Sequence, residues 1–197
     1  MAGAFPQDTK GGFSLFYVYP KAIENELFDA RQWAHVNRKN PLVSGLDSNA
    51  ILSGIQSANA GILGSIRNKH WHYKNEIILM GDSAHTILPF MGQGLNLGLE
   101  DVYLFHEVFG ESDDFSAYCK SPKRDTDAMT RISELQFHYL TGQTTSEENL
   151  IRLKKEAHYE CKAERNLYSA CAFTLDSIHD LYERDQRLEQ LILQEGS

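Results

Sequence analysis

The sequence predicts an α/β chain, of the α+β kind, with strands in its first half and helices filling its second. Two apolar runs carry the strand half: Phe13-Ser14-Leu15-Phe16-Tyr17-Val18-Tyr19, aromatic and β-branched, and Glu76-Ile77-Ile78-Leu79-Met80, closed by Gly81-Asp82. The helical half rests on apolar residues recurring at three- and four-residue spacing from Leu95 to Ile192. Residues 1–68 therefore read as a partial β-sheet domain, 69–112 as a strand–loop–helix unit and 113–197 as a helical region.

The elements follow in order. Gly11-Gly12 is the turn before the first strand, which ends at Pro20. No other segment of the first 70 residues reads as its partner, so the chain is expected to open within a sheet. A helical pattern runs from Ile23 to Trp33, and a looser stretch follows Pro41. Residues 94–109 read as a helix because Leu95, Leu99, Val102, Phe105 and Phe109 share a stripe and Gly110 stops it. A second helix is expected from Ala128 to Thr141, capped by Asp125 or Thr126 and ended by Gly142. Thr145-Ser146-Glu147-Glu148 is a capping box for a third, through Arg165. A fourth spans Leu175 to Leu193, with Leu175, Ile178, Leu181, Leu188 and Ile192 on one stripe.

Composition excludes several classes. With 197 residues, 42% hydrophobic and 23% charged, the chain can bury a core and is not a disordered one. A net charge of −8 argues against nucleic-acid binding, which needs a basic footprint. No apolar run approaches the roughly 20 residues of a membrane span. The first residues lack the basic and apolar regions of a signal peptide. The three cysteines, Cys119, Cys161 and Cys171, form no CxxC and no framework, and are expected to be buried small residues. A reducing, cytoplasmic setting is the expectation.

Chemistry concentrates between Ile77 and Asp101. A strand ends in Gly81-Asp82, a loop carries His85 and Pro89, and Gly92-Gln93-Gly94 opens a helix with Asn96 in its first turn. Glycines let a ligand approach the backbone, and a helix start offers unpaired N–H groups and a positive dipole end. Asp82, closing a strand, can accept hydrogen bonds from hydroxyls. Gly92, Gly94 and Gly98 also match a loose Rossmann phosphate loop, but eleven residues separate Met80 from Gly92, whereas a Rossmann glycine follows its strand directly.

Gly81-Asp82-Ser83-Ala84-His85, then Pro89, Gly92-Gln93-Gly94-Leu95-Asn96 and Glu100-Asp101, resembles the second FAD motif of the group A flavoprotein monooxygenases, aromatic hydroxylases of the p-hydroxybenzoate hydroxylase type. Trp71-His72-Tyr73-Lys74 and Pro89-Phe90 are similar to the kynurenine 3-monooxygenase subfamily. Phe13 to Pro20 resembles a strand of the family's substrate domain. Asp125 to Ala128 resembles the start of its next helix, and Tyr168-Ser169 with Phe173-Thr174 a segment near its C-terminal end. The resemblance implies the C-terminal half of such an enzyme, with FAD as cofactor, NAD(P)H as reductant and ring hydroxylation through a flavin hydroperoxide. It implies FAD contacts from Gly81, Asp82, Pro89, Gly92, Gln93, Gly94, Leu95 and Asn96. Pro89 and Phe90 would stand near the oxygen site. Gln136 and Tyr168 would touch a small aromatic, kynurenine-like substrate.

The chain departs from the family in two ways. None of its 14 glycines forms GxGxxG, so the N-terminal βαβ dinucleotide-binding unit is lacking. Gln136 stands where those enzymes have Asn, reaching about 1.5 Å further. Two roles therefore stand side by side: an enzyme half completed by a complementary N-terminal chain, or a non-catalytic remnant or binding module. Apolar residues on both faces of the first strand suit a central strand and point to a partner chain or self-association. Among the remaining residues, His70 and His72 form no metal site, and His85 shapes the loop. Trp71 and Tyr73 pack, and Glu183, Arg184, Arg187 and Glu189 form a solvated face.

Overall fold

The first strand does have a partner in its own neighbourhood. In the computed structural model, which describes residues 2–6, 13–19, 47–59, 61–109 and 114–195, β1 (Ala2–Pro6) pairs antiparallel with β2 (Phe13–Tyr17), from Ala2 opposite Tyr17 to Pro6 opposite Phe13. The expectation that the chain opens within a sheet is corrected on this point. Ala2 to Pro6 carries one large apolar residue and ends in proline, so composition conceals a strand. A proline at the end of a two-stranded ladder costs no internal bond. Val18 and Tyr19 lie beyond the ladder. The turn at Gly11-Gly12 and the helical pattern of Ile23 to Trp33 fall outside the described residues.

The stretch after Pro41 is not all loose. Residues Ser48–Ser57 form α1, started by Asp47, whose carboxylate accepts the Asn49 N–H at 3.0 Å. Its Ile51 is buried against Tyr17, Tyr19, Leu52 and Ile55. The chain divides into two compact units, Met1–Ile62 and Leu63–Ser197. The second holds everything that follows.

Strands in the second unit are two residues long. β3 (Ile66–Arg67) pairs with β6 (His85–Thr86), and β4 (His72–Tyr73) with β5 (Ile77–Ile78), both antiparallel. The expected buried strand from Glu76 to Met80 is thus only a hairpin arm. Ile77 is exposed, and Ile78, Leu79 and Met80 are half-buried. Tight 3-10 turns at Gly81–Ser83 and Pro89–Met91 frame β6.

Helices make the rest: α2 (Gly94–Phe109), α3 (Phe115–Thr141), α4 (Ser146–Cys161), α5 (Leu167–Phe173) and α6 (Ile178–Glu195). α2 has the expected bounds but turns its other side inward. Leu95 is 74% exposed, and Leu99, Val102 and Phe109 are exposed as well. Leu97 and Asp101 are buried, with Leu104, Phe105 and Val108 half-buried behind them. The helix is apolar nearly all round, so two stripes of identical period compete and spacing cannot choose between them.

α3 starts thirteen residues earlier than expected. Asp114 caps it, accepting the Ser116 N–H at 2.9 Å. Pro122 sits inside it, where the lost N–H leaves the Tyr118 carbonyl without its helical donor. Asp125 and Thr126 are therefore not caps of this helix. Asp125 instead caps α6 from outside, accepting the His179 N–H at 2.7 Å and the Ser177 hydroxyl at 2.8 Å. Buried Thr130 and Ser133 satisfy their hydroxyls on carbonyls of their own helix, at 2.8 and 2.9 Å.

The Thr145–Glu148 capping box is formed reciprocally: Glu148 N–H donates to the Thr145 hydroxyl at 3.2 Å and Thr145 N–H to the Glu148 carboxylate at 2.7 Å. α4 stops at Cys161, short of Arg165, where Ala163 takes a left-handed conformation (φ 53°). α5 was not expected. α6 buries Leu181, Leu188 and Ile192 as its stripe requires, while Leu175 lies before it and is fully exposed. One core joins Ile87, Leu97, Met129, Ile132, Leu167, Ala170, Cys171 and Leu181, so the loop, α2, α3, α5 and α6 share it.

Among the described residues no helix is long and apolar enough to cross a membrane.

Candidate functional site

The segment from Trp71 to Asp101 is built around one buried indole and one buried carboxylate. Trp71, 2% exposed, stacks on His85 with ring centroids 5.1 Å apart, and the Lys123 ammonium lies 5.6 Å from its ring. Its Nε1–H donates to the Asn68 carbonyl at 3.2 Å. Trp71 is a packing residue, as expected. Tyr73 is not: it is exposed. His85 is buried, and its Nε2 lies 2.6 Å from Asp101 Oδ2. The same oxygen accepts the Gly81 N–H at 2.7 Å. The Tyr118 hydroxyl also faces this carboxylate. Burial first, and Asp101 second, push the Tyr118 phenol well above its ordinary range.

Asp101 thereby ties the Gly81–Ser83 turn to α2. Gly81 takes the left-handed conformation (φ 55°), and a Cβ on Gly98 would stand 3.7 Å from its Cα. The turn and the helix approach through two glycines, with no side chain between them. The Thr86 hydroxyl donates to the Asp82 carbonyl at 2.9 Å, and the Ser83 hydroxyl to the Met80 carbonyl at 2.6 Å. The Asp82 carboxylate is exposed.

The second part of the segment ends in a helix start. Gly92, left-handed at φ 65°, closes the Pro89–Met91 turn. The first helical bond runs from the Leu97 N–H to the Gln93 carbonyl at 3.0 Å, so the N–H groups of Gly94, Leu95 and Asn96 have no acceptor within the helix. No acidic residue stands in that first turn. Asn96 donates to the Gln93 side chain at 2.8 Å and is exposed. A 3-10 turn, not a strand, precedes Gly92, which removes the Rossmann phosphate-loop reading. Phe90 packs on Phe137 of α3, centroids 5.3 Å apart, and Met91, like Tyr168, packs on the core.

The candidate substrate residues do not both line the cavity among the helices. Gln136 is half-buried on α3, next to Phe137. Tyr168 lines a cavity of about 170 Å³ between α3, α4, α5 and α6, with Tyr139, Arg152, Lys155 and Tyr182; Gln136 is not among its lining residues. Beside that cavity, Lys155 Nζ meets Asp185 at 2.5 Å and Glu189 at 3.0 Å, and the Tyr159 hydroxyl donates to Asp185 at 3.2 Å. Burial alone would lower the Lys155 ammonium, but the two carboxylates outweigh it and hold it above its ordinary range. Burial likewise raises the Tyr159 and Tyr168 phenols.

The expected solvated face of α6 is corrected in half its members. Glu183 and Arg187 are exposed. Glu189 holds Lys155, and Arg184 lies 5.6 Å over the Tyr159 ring and donates to the Arg165 carbonyl. Of the cysteines, Cys171 is buried, its thiol pushed up to about 11 by burial; Cys119 is half-buried, and Cys161, against expectation, is exposed. Among the described residues no group of histidines, cysteines and carboxylates could hold a metal ion.

These shifts set a pH dependence. Lys155, Tyr118, Tyr159 and Tyr168 all hold their protons more tightly folded than unfolded. The folded state thus binds more protons above pH ~10, and stability falls as pH rises through that range. Urea midpoints are expected to begin falling at about pH 9, where the Cys119 and Cys171 thiols, raised by burial in the fold, would ionise in the unfolded chain, and to drop steeply between about pH 10 and 11. A midpoint unchanged at pH 11 contradicts this.

Comparison with known proteins bears on the same segment. Residues 20–111 match the family described as FAD binding domain. The chain is 36% identical over 97 residues to kynurenine 3-monooxygenase of Flavobacterium psychrophilum, covering 47% of this chain and 22% of that enzyme. Against the Mycosarcoma maydis enzyme of the same name, identity is 30% over 113 residues, 55% of this chain and 19% of the relative. Against that of Legionella pneumophila it is 39% over 83 residues, 40% and 18% respectively. The match spans about a fifth of the length of these relatives.

Proposed function

We propose, from the premise that residues 20–111 are a segment of an FAD binding domain, that this chain supplies the flavin-facing part of an aromatic hydroxylase of the kynurenine 3-monooxygenase kind. The observation that carries the reading is the joining of the Gly81–Ser83 turn to α2 through Asp101 and the Gly81–Gly98 approach. It leaves two things turned outward: the Asp82 carboxylate and the open start of α2.

Both suit FAD. Asp82 would accept hydrogen bonds from the hydroxyls of the ribityl chain. The free N–H groups of Gly94, Leu95 and Asn96 would face the pyrimidine end of the ring, where negative charge collects on reduction. A side chain at Gly92 would meet no protein atom within 4 Å, so the space before the loop is open. When bound, FAD supplies the redox chemistry, taking electrons from NAD(P)H and using O₂ to hydroxylate an aromatic ring. This chain's residues place and electrostatically favour the ring, and the Pro89–Met91 turn, backed by Phe137, walls its edge. Gln136 and Tyr168 are the candidates for the substrate side.

The sequence has no GxGxxG to hold the pyrophosphate. A unit bearing that motif completes the site in this reading. The chain by itself is expected to bind FAD weakly, with a dissociation constant on the order of 0.1–1 mM, because half the contacts meet the full cost of ordering the ligand. FAD titration followed by amide NMR tests it, with perturbations expected at Gly81, Asp82 and Gly92 to Asn96. A submicromolar constant, or perturbations only elsewhere, overturns the reading. Gln136 lies outside the cavity that Tyr168 lines, which favours a second reading, a non-catalytic binding module. A recombinant βαβ chain tightening FAD binding without NAD(P)H oxidation would select it.

A further inference from the structure

Asp101 is 1% exposed, and it makes no ion pair with Lys or Arg among the described residues. A carboxylate so buried needs donors. It has them from the Gly81 backbone and the His85 ring, both on Oδ2. His85 Nδ1 is buried without a partner. A proton there would bury an unpaired N–H, so the geometry fits the tautomer with its proton on Nε2, donating to Asp101. His85 in turn is clamped by Trp71. The carboxylate thus connects three elements: the turn, β6 and α2.

The turn's other polar groups are already spent. Thr86 holds the Asp82 carbonyl, and Ser83 holds Met80. The Asp82 side chain makes no hydrogen bond to a described residue. Where that side chain points relative to the start of α2 depends on the Gly81 N–H, because the left-handed Gly81 is the pivot immediately before it.

We infer that Asp101 is a positioning residue: by holding the Gly81 N–H and the His85 ring on one buried oxygen, it fixes Asp82 against the start of α2 for binding a polyhydroxylated ligand chain. The inference rests on the FAD reading above and names the residue that aligns its two halves. Asp101 touches no ligand itself. Asn at this position keeps one acceptor oxygen for the Gly81 and His85 donors but makes it neutral, and it buries an NH₂ group where the unpartnered Oδ1 lies, so both charge-assisted bonds weaken.

The test is FAD titration of the full chain by amide NMR, comparing wild type, Asp101→Asn and His85→Gln. Leu188→Ala, a remote core change, is the control for lost stability. Asp101→Asn is expected to weaken FAD binding about tenfold, the scale on which partners that orient a binding group act. Leu188→Ala leaves the affinity within about twofold of wild type. His85→Gln, which keeps the Gly81 bond, falls between them, and it decides the matter if Asp101→Asn does not fold. In wild type, long-range ¹H–¹⁵N spectra are expected to report a proton on His85 Nε2, with shifts that Asp101→Asn moves and Leu188→Ala does not. Wild type failing to perturb Asp82 and Gly94 to Asn96 sinks the FAD reading and this inference with it. Wild-type perturbation with unchanged affinity in both Asp101→Asn and His85→Gln sinks this inference alone.

Discussion

Replacing Trp71 by alanine is expected to destabilise the second unit by about 3–5 kcal/mol, the range for deleting a buried large aromatic. The indole fills the cluster formed with Ala84 and Tyr118, with Phe105 and Val108 packed against it. Its removal also strips the stacked face from His85 and an acceptor surface from the Lys123 ammonium. A void in such a close-packed cluster collapses only partly, because its walls belong to separate elements: the β4–β5 hairpin, α2 and α3. Trp71→Phe keeps much of the burial and loses the Nε1–H bond to Asn68, at a cost of about 1–2 kcal/mol. Thermal unfolding of a unit of this size shifts by several degrees per kcal/mol, so Trp71→Ala is expected to lower Tm by about 10 °C or more. A fall of under ~3 °C contradicts the packing described.

Lys155→Ala carries a loss of similar size for a different reason. Asp185 is buried, and Lys155 is the cation that faces it. Deleting one partner of a buried pair leaves the other charge uncompensated, at about 3–5 kcal/mol. Asp185 retains only the Tyr159 hydroxyl. The double change Lys155→Met with Asp185→Leu removes both charges and keeps the volume, so it is expected to recover most of the loss. Urea unfolding of the three chains decides it. A double variant no more stable than Lys155→Ala would mean that the pair does not act as a unit.

Neither Lys155 nor Asp101 was singled out in the sequence as a structural anchor, and the reason is physical. Each sits on a helix whose pattern assigns it to solvent by its charge. Only the partner, thirty residues on for Lys155 and sixteen residues back for Asp101, makes burial affordable. An Asp at the spacing of Leu97, Leu104 and Val108 was the available signal for Asp101. Punctuation, by contrast, was legible. The glycines around Asp82, the start of α2 at Gly94, the Thr145 capping box and the stop at Gly142 follow from local backbone chemistry, which needs no partner. The start of α3 is a local feature that was missed: Asp114 caps it, and Pro122 inside the helix hid the continuation. Wherever an element depended on something distant, the sequence misled. β1 exists because β2 lies beside it. The inward face of α2 was decided by the hairpin and α3, not by its own period.

The cap on α6 has a consequence for how the chain comes apart. The Asp125 carboxylate, near the middle of α3, holds the second amide of α6 across 54 positions of sequence. C-terminal helices ordinarily fray first and on their own. Here the opening of α6 from its near end must break a bond to the middle of α3, so hydrogen exchange at the start of α6 is expected to rise and fall with that of the middle of α3.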